Sequence, residues 1–188
     1  MYGGFLMERN IKVVTDKYKD RTLDFVEKVF TESENIDEGK LVRNLVREIR
    51  EKKYYIPELD LIMVDEDDNI IGFILFSSFH IEGKYEDELL LLSPVAVKTE
   101  LQRQHISKDL IDFGLHKAKN LGYKAVLVEG NPKNYHSRGF KTAADYGIYA
   151  GKNINLPHID CLMVLELVPG SLNNICGYVS YDFYDTLS

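Results

Sequence analysis

The sequence predicts a mixed α/β fold in which helices flank a central, mostly antiparallel sheet containing one splayed parallel strand pair. Three observations carry this. Glu88–Val97 reads as a long strand, followed by a short polar loop and then the clearest amphipathic helix in the chain, from Ile106. Beyond that helix, Lys124–Val128 is a short, mostly apolar run of the kind buried on both faces of a parallel pair. A strand, helix and strand in this order make a right-handed crossover between parallel neighbours, the strands around Val95 and Val126. Upstream, Leu59–Val64 and Ile70–Ile81 flank the polar turn Asp65–Asn69 and read as an antiparallel hairpin.

The other elements follow in chain order. Ile11–Val14 is a short first strand. Arg21–Phe30 repeats apolar residues at helical spacing, and a second helix follows Gly39, with Leu41, Val42, Leu45, Val46 and Ile49 on its buried stripe. Gly83-Lys84 turns the hairpin into the long strand. In the central helix Ile106, Leu110, Ile111, Leu115, Ala118 and Leu121 share a face, and Gly122 is placed to end it. Asn131–Arg138 is a short helix or loop. The pattern then weakens until the late strand Asp160–Leu167, with Gly177–Tyr181 as an added edge strand.

No repeat, linker or low-complexity tract interrupts the 188 residues, so residues 1–188 read as one domain. A chain of this size buries roughly 70% of its unfolded surface and needs no covalent staples. The formal charge of −7 argues against nonspecific nucleic-acid binding. It suits a cationic or neutral small partner, and equally an ordinary acidic surface. The two cysteines, Cys161 and Cys176, lack metal-type spacing and read as reduced thiols of a cytoplasmic protein. Met1–Leu6 has neither a basic region nor a long apolar stretch, so no signal peptide is expected, and no run is long enough to span a membrane.

The loop between Val97 and the central helix is the candidate site. The first N–H groups of a helix lack internal partners and carry partial positive charge, which suits a phosphate. Beside it, Pro94 interrupts a buried strand and removes one ladder hydrogen bond. A gap left in a sheet in this way can accept an extended ligand as an extra strand.

From Leu91 to Phe140 the chain resembles the core of the GNAT acetyltransferases, which transfer an acyl group from coenzyme A to an amine. Their signature, Q/R-x-x-G-x-G/A, falls on Gln102–Ser107, with His105 in the place of the first glycine and Ser107 in that of the second. Asn131, Tyr135 and Gly139-Phe140 follow at spacings that the family uses. The chain is similar to a subfamily of predicted acetyltransferases whose acceptors are mostly unassigned. The resemblance implies acetyl-CoA as cosubstrate and backbone groups of Val95, Ala96 and Val97 holding the thioester and pantetheine. It places the phosphates on the N–H groups of Arg103, Gln104, His105, Ile106, Ser107 and Lys108, with the charged ends of Arg103 and Lys108 adding to them. His105 either points outward, fills the phosphate pocket, or itself donates to the phosphate. Asn131 either bonds the pantetheine or closes the turn before Pro132.

Acyl transfer to an amine needs deprotonation of the amine, stabilisation of the carbonyl oxygen and protonation of the leaving thiolate. An alkyl amine with pKa near ~10.4 is neutral in only about one molecule in a few thousand at pH 7, so a base matters. Backbone N–H groups serve the oxygen. By the resemblance Tyr135 is the general acid, a phenol protonated at neutral pH. For the base, Glu129 at the end of the second cleft strand has the best position, with Glu86 and Glu88 approaching from the other side; His80 and His158 read as structural or exposed. No serine triad, Walker loop or metal-ligand cluster offers a rival chemistry.

Three classes therefore stand: an N-acetyltransferase acting by direct attack in a ternary complex; a non-catalytic acyl-CoA binder or degenerate module; and a nucleotide-binding α/β domain of another family. The tyrosine and glycine-phenylalanine spacing speaks against the last. The expected partner is a small-molecule amine, with a protein or peptide amine as alternative, no nucleic acid and no membrane, for a monomer or homodimer. The first two helices and the tail after Tyr146 shape the acceptor pocket and carry no motif.

Overall fold

The computed structural model describes residues 10–188. Met1–Leu6, on which the expectation of no signal peptide rests, lies outside the described residues. The described chain starts with β1 (Asn10–Val13) and α1 (Asp16–Ser33), which buries Tyr18, Leu23, Val26 and Val29 along one face. α2 (Ile36–Glu51) begins before Gly39 rather than after it. Asn35 starts it by accepting a hydrogen bond from Glu38 N at 2.9 Å, a strong N-cap that the glycine does not override. Gly39 instead lets the two helices cross closely, since a Cβ there would overlap Thr31 Oγ1 and the Glu27 carbonyl.

β2 (Tyr55–Val64) and β3 (Ile70–Ser78) form the expected hairpin. Its turn is closed by the Asp65 carboxylate, which accepts from Asp67 N and Asn69 N at 3.0 and 2.8 Å. β4 (Leu89–Val97) runs antiparallel to β3, and α3 (Ile106–Asn120) carries the chain to β5 (Ala125–Glu129), parallel to β4. α4 (Pro132–His136), β6 (Lys141–Thr142), β7 (Ile148–Ala150), β8 (Leu162–Glu166) and β9 (Gly177–Val179) follow. The main sheet has seven strands in the order β1-β2-β3-β4-β5-β8-β6, and β4–β5 is its parallel pair.

Two expectations are corrected. The segment at Gly177–Tyr181 is not an edge of the main sheet: its strand pairs in parallel with β7 in a separate ribbon. The edge beside β8 is already taken by β6, and Val179 and Ile148 are wholly buried in the helix-side core instead. In α3, Leu121 is exposed, because it caps the helix rather than continuing its stripe.

Strand residues alternate between two cores. Leu89, Leu91, Ala125 and Leu127 face α1 and α2, while Leu90, Leu92, Val126 and Val128 face α3. This explains why these strands read as unbroken apolar runs. α2 is tied to the sheet by a buried ion pair: Arg50 Nε and Nη2 donate to Asp60 at 2.8 and 3.1 Å, and Tyr55 Oη donates to the same carboxylate at 2.8 Å. None of the described helices is long and apolar enough to cross a membrane.

Candidate active site

The parallel pair extends only from Leu89–Ala125 to Leu91–Leu127. Between Leu92 and Val95, β4 then takes one residue more than β3 takes between Phe76 and Ile74, a bulge centred on Ser93-Pro94. Proline has no N–H to give to a ladder, so the irregularity falls where the sequence puts it. Val95, Ala96 and Val97 remain paired with Ile74, Phe73 and Gly72 of β3 and have no partner on β5. The sheet opens at this point, and the backbone of Val95–Val97 edges the opening.

The loop ahead of α3 has the backbone that glycine favours without containing one. Arg103 and His105 both lie in the left-handed region, with φ of 62° and 64°. Gln102 to His105 are exposed, whereas Ile106 is buried and anchors the helix start. The His105 side chain makes no capping bond to α3. A glycine does act nearby, on the sheet: a Cβ at Gly72 would stand 2.7 Å from both Ile106 Cγ2 and Leu110 Cδ1. Its absence lets the first turn of α3 lie close against the open end of β3 and β4.

A third cation joins the expected Arg103 and Lys108 around this turn. Lys108 Nζ is paired with Asp112 at 2.6 Å, which raises its pKa and offsets its charge at the loop. Arg138 is the cation that reaches in, donating from Nη2 to Ser107 Oγ at 2.8 Å. The same guanidinium lies 5.6 Å from the centre of the Tyr135 ring.

Tyr135 is held by α4. Asn131 Oδ1 accepts from Lys133 N at 3.0 Å, so it caps this helix and closes the turn before Pro132. The Tyr135 ring is buried, packs edge-on to Phe140 with centroids 5.5 Å apart, and sits where a Cβ on Gly130 would be only 2.6 Å away. Burial pushes its phenol above the ordinary value, against a smaller opposite pull from Arg138. Glu129, exposed at the end of β5, accepts from Tyr181 Oη at 2.9 Å. Burial, and next the Glu129 charge, raise the Tyr181 phenol well above its usual range, so it remains a donor.

These groups meet at one cavity of about 420 Å³. The opened strand contributes Ser93, Pro94 and Val95; Glu129 and Tyr135 line it as well. α1 and α2 contribute Phe30, Glu38, Leu41, Val42 and Leu45, and the C-terminal tail Tyr181, Tyr184 and Leu187. Glu86 and Glu88 are not part of it. Parallel pairing puts the starts of β4 and β5 at the opposite end of the sheet, where Glu88 meets Lys124 at 3.0 Å and Glu86 meets Lys53 at 3.4 Å. His80 Nδ1 accepts from Gly83 N, and His158 Nδ1 from Asp160 N. Among the described residues no group of His, Cys, Asp and Glu could hold a metal ion.

A family model described as "Acetyltransferase (GNAT) family" matches residues 21–143. The chain belongs to the GNAT family. Over 138 residues it is 28% identical to an uncharacterized N-acetyltransferase, YhbS, of Escherichia coli K12, covering 73% of this chain and 78% of that one. Its fold is similar to the crystal structure of E. coli YhbS in complex with CoA (TM-score 0.81, 23% identity, 96% and 93% of the two chains). A GNAT acetyltransferase from Brucella melitensis in complex with acetyl-CoA is also similar (TM-score 0.71, 22% identity, 97% and 99%).

Within this GNAT chain, lining or contacting residues that the sequence did not single out include Glu38, Arg138, Tyr181, Tyr184 and Leu187. Arg138 carries a usable signal, a cation one turn beyond the motif tyrosine. The two tail tyrosines carry none, being two of twelve with no motif around them.

Proposed function

We propose that the protein transfers the acetyl group of acetyl-CoA to the amine of a small-molecule acceptor, by direct attack in a ternary complex. The observation that carries this reading is that the opened strand, through Ser93, Pro94 and Val95, lines the same cavity as Tyr135 and Glu129, while Val95–Val97 have no partner on β5. The residues present fit the cosubstrate. An extended pantetheine finds unpaired strand backbone at Val95–Val97. Its pyrophosphate finds the N–H groups of Arg103–Lys108 in a glycine-like turn, with Arg138, bonded to Ser107, as a further cation beside Arg103 and Lys108. Acetyl-CoA supplies the activated acetyl group.

The chain supplies proton handling and orientation. Glu129, fixed by Tyr181, receives the proton that the acceptor's ammonium must lose, directly or through water, and passes it to solvent. The amide C–N bond forms as the thioester C–S bond breaks, and Tyr135 gives its proton to the departing sulfur. The second proton lost by the nitrogen makes up the one that Tyr135 gives. Backbone N–H groups at Val95–Val97 face the carbonyl oxygen. Neither Cys161 nor Cys176 lines the cavity, in keeping with direct attack rather than an acetyl-enzyme.

The test is thiol release from acetyl-CoA across a panel of amines, with Tyr135→Phe as the diagnostic variant. Turnover should fall about 10²–10⁴-fold while acetyl-CoA affinity stays nearly constant. Because burial raises the Tyr135 pKa, its contribution should persist to above pH ~10. Unchanged turnover in Tyr135→Phe, or an acetylated cysteine trapped by mass spectrometry, would contradict the mechanism.

A further inference from the structure

The family leaves the acceptor open, and the cavity narrows it. We propose that the acceptor is a primary amine on an apolar alkyl or aryl body, entering as its ammonium form, with Glu38 as the specificity-determining residue; this rests on the acetyltransferase reading above.

Charge and polarity both point to such a molecule. Among the described residues the lining has two carboxylates, Glu38 and Glu129, and neither lysine nor arginine. Glu129 already has the Tyr181 hydroxyl. Glu38 is half-buried in the first turn of α2, and its carboxylate makes no hydrogen bond or ion pair with any described residue. A partly desolvated carboxylate with no cation beside it attracts one from solvent. An acceptor with its own carboxylate would instead face two like charges. Beyond the hydroxyls of Ser93, Tyr181 and Tyr184, the walls from α1, α2 and the tail are apolar: Phe30, Leu41, Val42, Leu45 and Leu187. Hydroxyls or extra amines set against them would lose water without gaining a partner. The volume of about 420 Å³ lies in the small-molecule range of ~300–1,000 Å³.

The test measures kcat/KM with acetyl-CoA for the n-alkylamines from ethylamine to hexylamine, and for 2-phenylethylamine, phenylalanine and spermidine. Burial of each added methylene should raise kcat/KM about three- to fourfold until the cavity is full. 2-Phenylethylamine should exceed phenylalanine, which adds only the carboxylate, by about tenfold or more. Glu38→Gln, an isosteric change on a helix surface, should raise KM for 2-phenylethylamine several-fold with kcat nearly constant, and Leu41→Ser should flatten the alkylamine series. A flat series, a preference for spermidine or phenylalanine, or an unchanged KM in Glu38→Gln overturns the inference. Calorimetry with acetyl-CoA separates the two levels. If acetyl-CoA binds and polar amines are preferred, only the acceptor class is wrong; if it does not bind, the acetyltransferase reading fails and the acceptor class with it.

Discussion

On one side of the cleft the chain offers backbone: the free edge of Val95–Val97 and the turn Arg103–His105 before α3. On the other it offers side chains, with Phe30, Leu41, Val42 and Leu45 from two helices and Tyr181, Tyr184 and Leu187 from the tail. A backbone site tolerates substitution, provided the residue accepts the conformation. His105 accepts the conformation, with φ of 64° where a glycine is usual. A side-chain site changes chemistry with each substitution, so acceptors diverge while the donor side keeps its shape.

The comparison can be broken at several points. The largest effect is expected where the acceptor-side helices are fastened to the sheet. Asp60→Ala strands Arg50 without its partner in the interior and should cost about 3–5 kcal/mol in urea unfolding. A loss under ~1 kcal/mol would mean that the helix layer is held by its apolar face alone.

Next comes the one side chain on which the donor side leans. Arg138→Ala removes the donor to Ser107 and the cation beside the turn, and should weaken acetyl-CoA binding about tenfold, measured by calorimetry. No change would make the donor side wholly a backbone site.

The smallest effect concerns the tail. Glu48 accepts from Asp185 N and Thr186 N at 2.7 and 2.8 Å, which anchors the segment carrying Tyr181 and Tyr184. Burial alone would raise its pKa, but these hydrogen bonds outweigh burial and hold it below the usual value. Its contribution is therefore complete above the unfolded pKa of about 4.3 and is lost as pH falls through the lower folded value. At pH 7 Glu48→Gln should lower Tm by about 2–4 °C, a difference that closes below pH ~4. A gap that stays constant with pH would remove the charge from this account.

What the sequence made legible follows the same division. The donor side lies within Leu91–Phe140, where strand, loop, helix and tyrosine succeed one another and each has a local signature. Pro94 even marks the residue at which the ladder is interrupted, though not that the interruption takes the form of a bulge. The acceptor side joins residues 30–45 to residues 181–187; the resemblance assigns that pocket to the first two helices and the tail, but local periodicity is silent about which of their residues meet. β6 and β7, of two and three residues, are too short to show a period, so the true edge of the sheet and the partner of β9 went unread. Glu86 and Glu88 were misplaced for a simpler reason: strand direction, not proximity in sequence, decides which end of β4 faces Glu129.

The acetyl-CoA site is proposed to form on the backbone of the turn Arg103–His105 without the motif glycine, with Arg138 adding its charge. Calorimetric titration of acetyl-CoA into the protein and into His105→Gly tests it most directly. Micromolar-range binding by the unaltered protein is expected, and modestly tighter binding by His105→Gly once the side chain beside the phosphates is gone. Binding by His105→Gly alone, with none by the unaltered protein at millimolar acetyl-CoA, would contradict it.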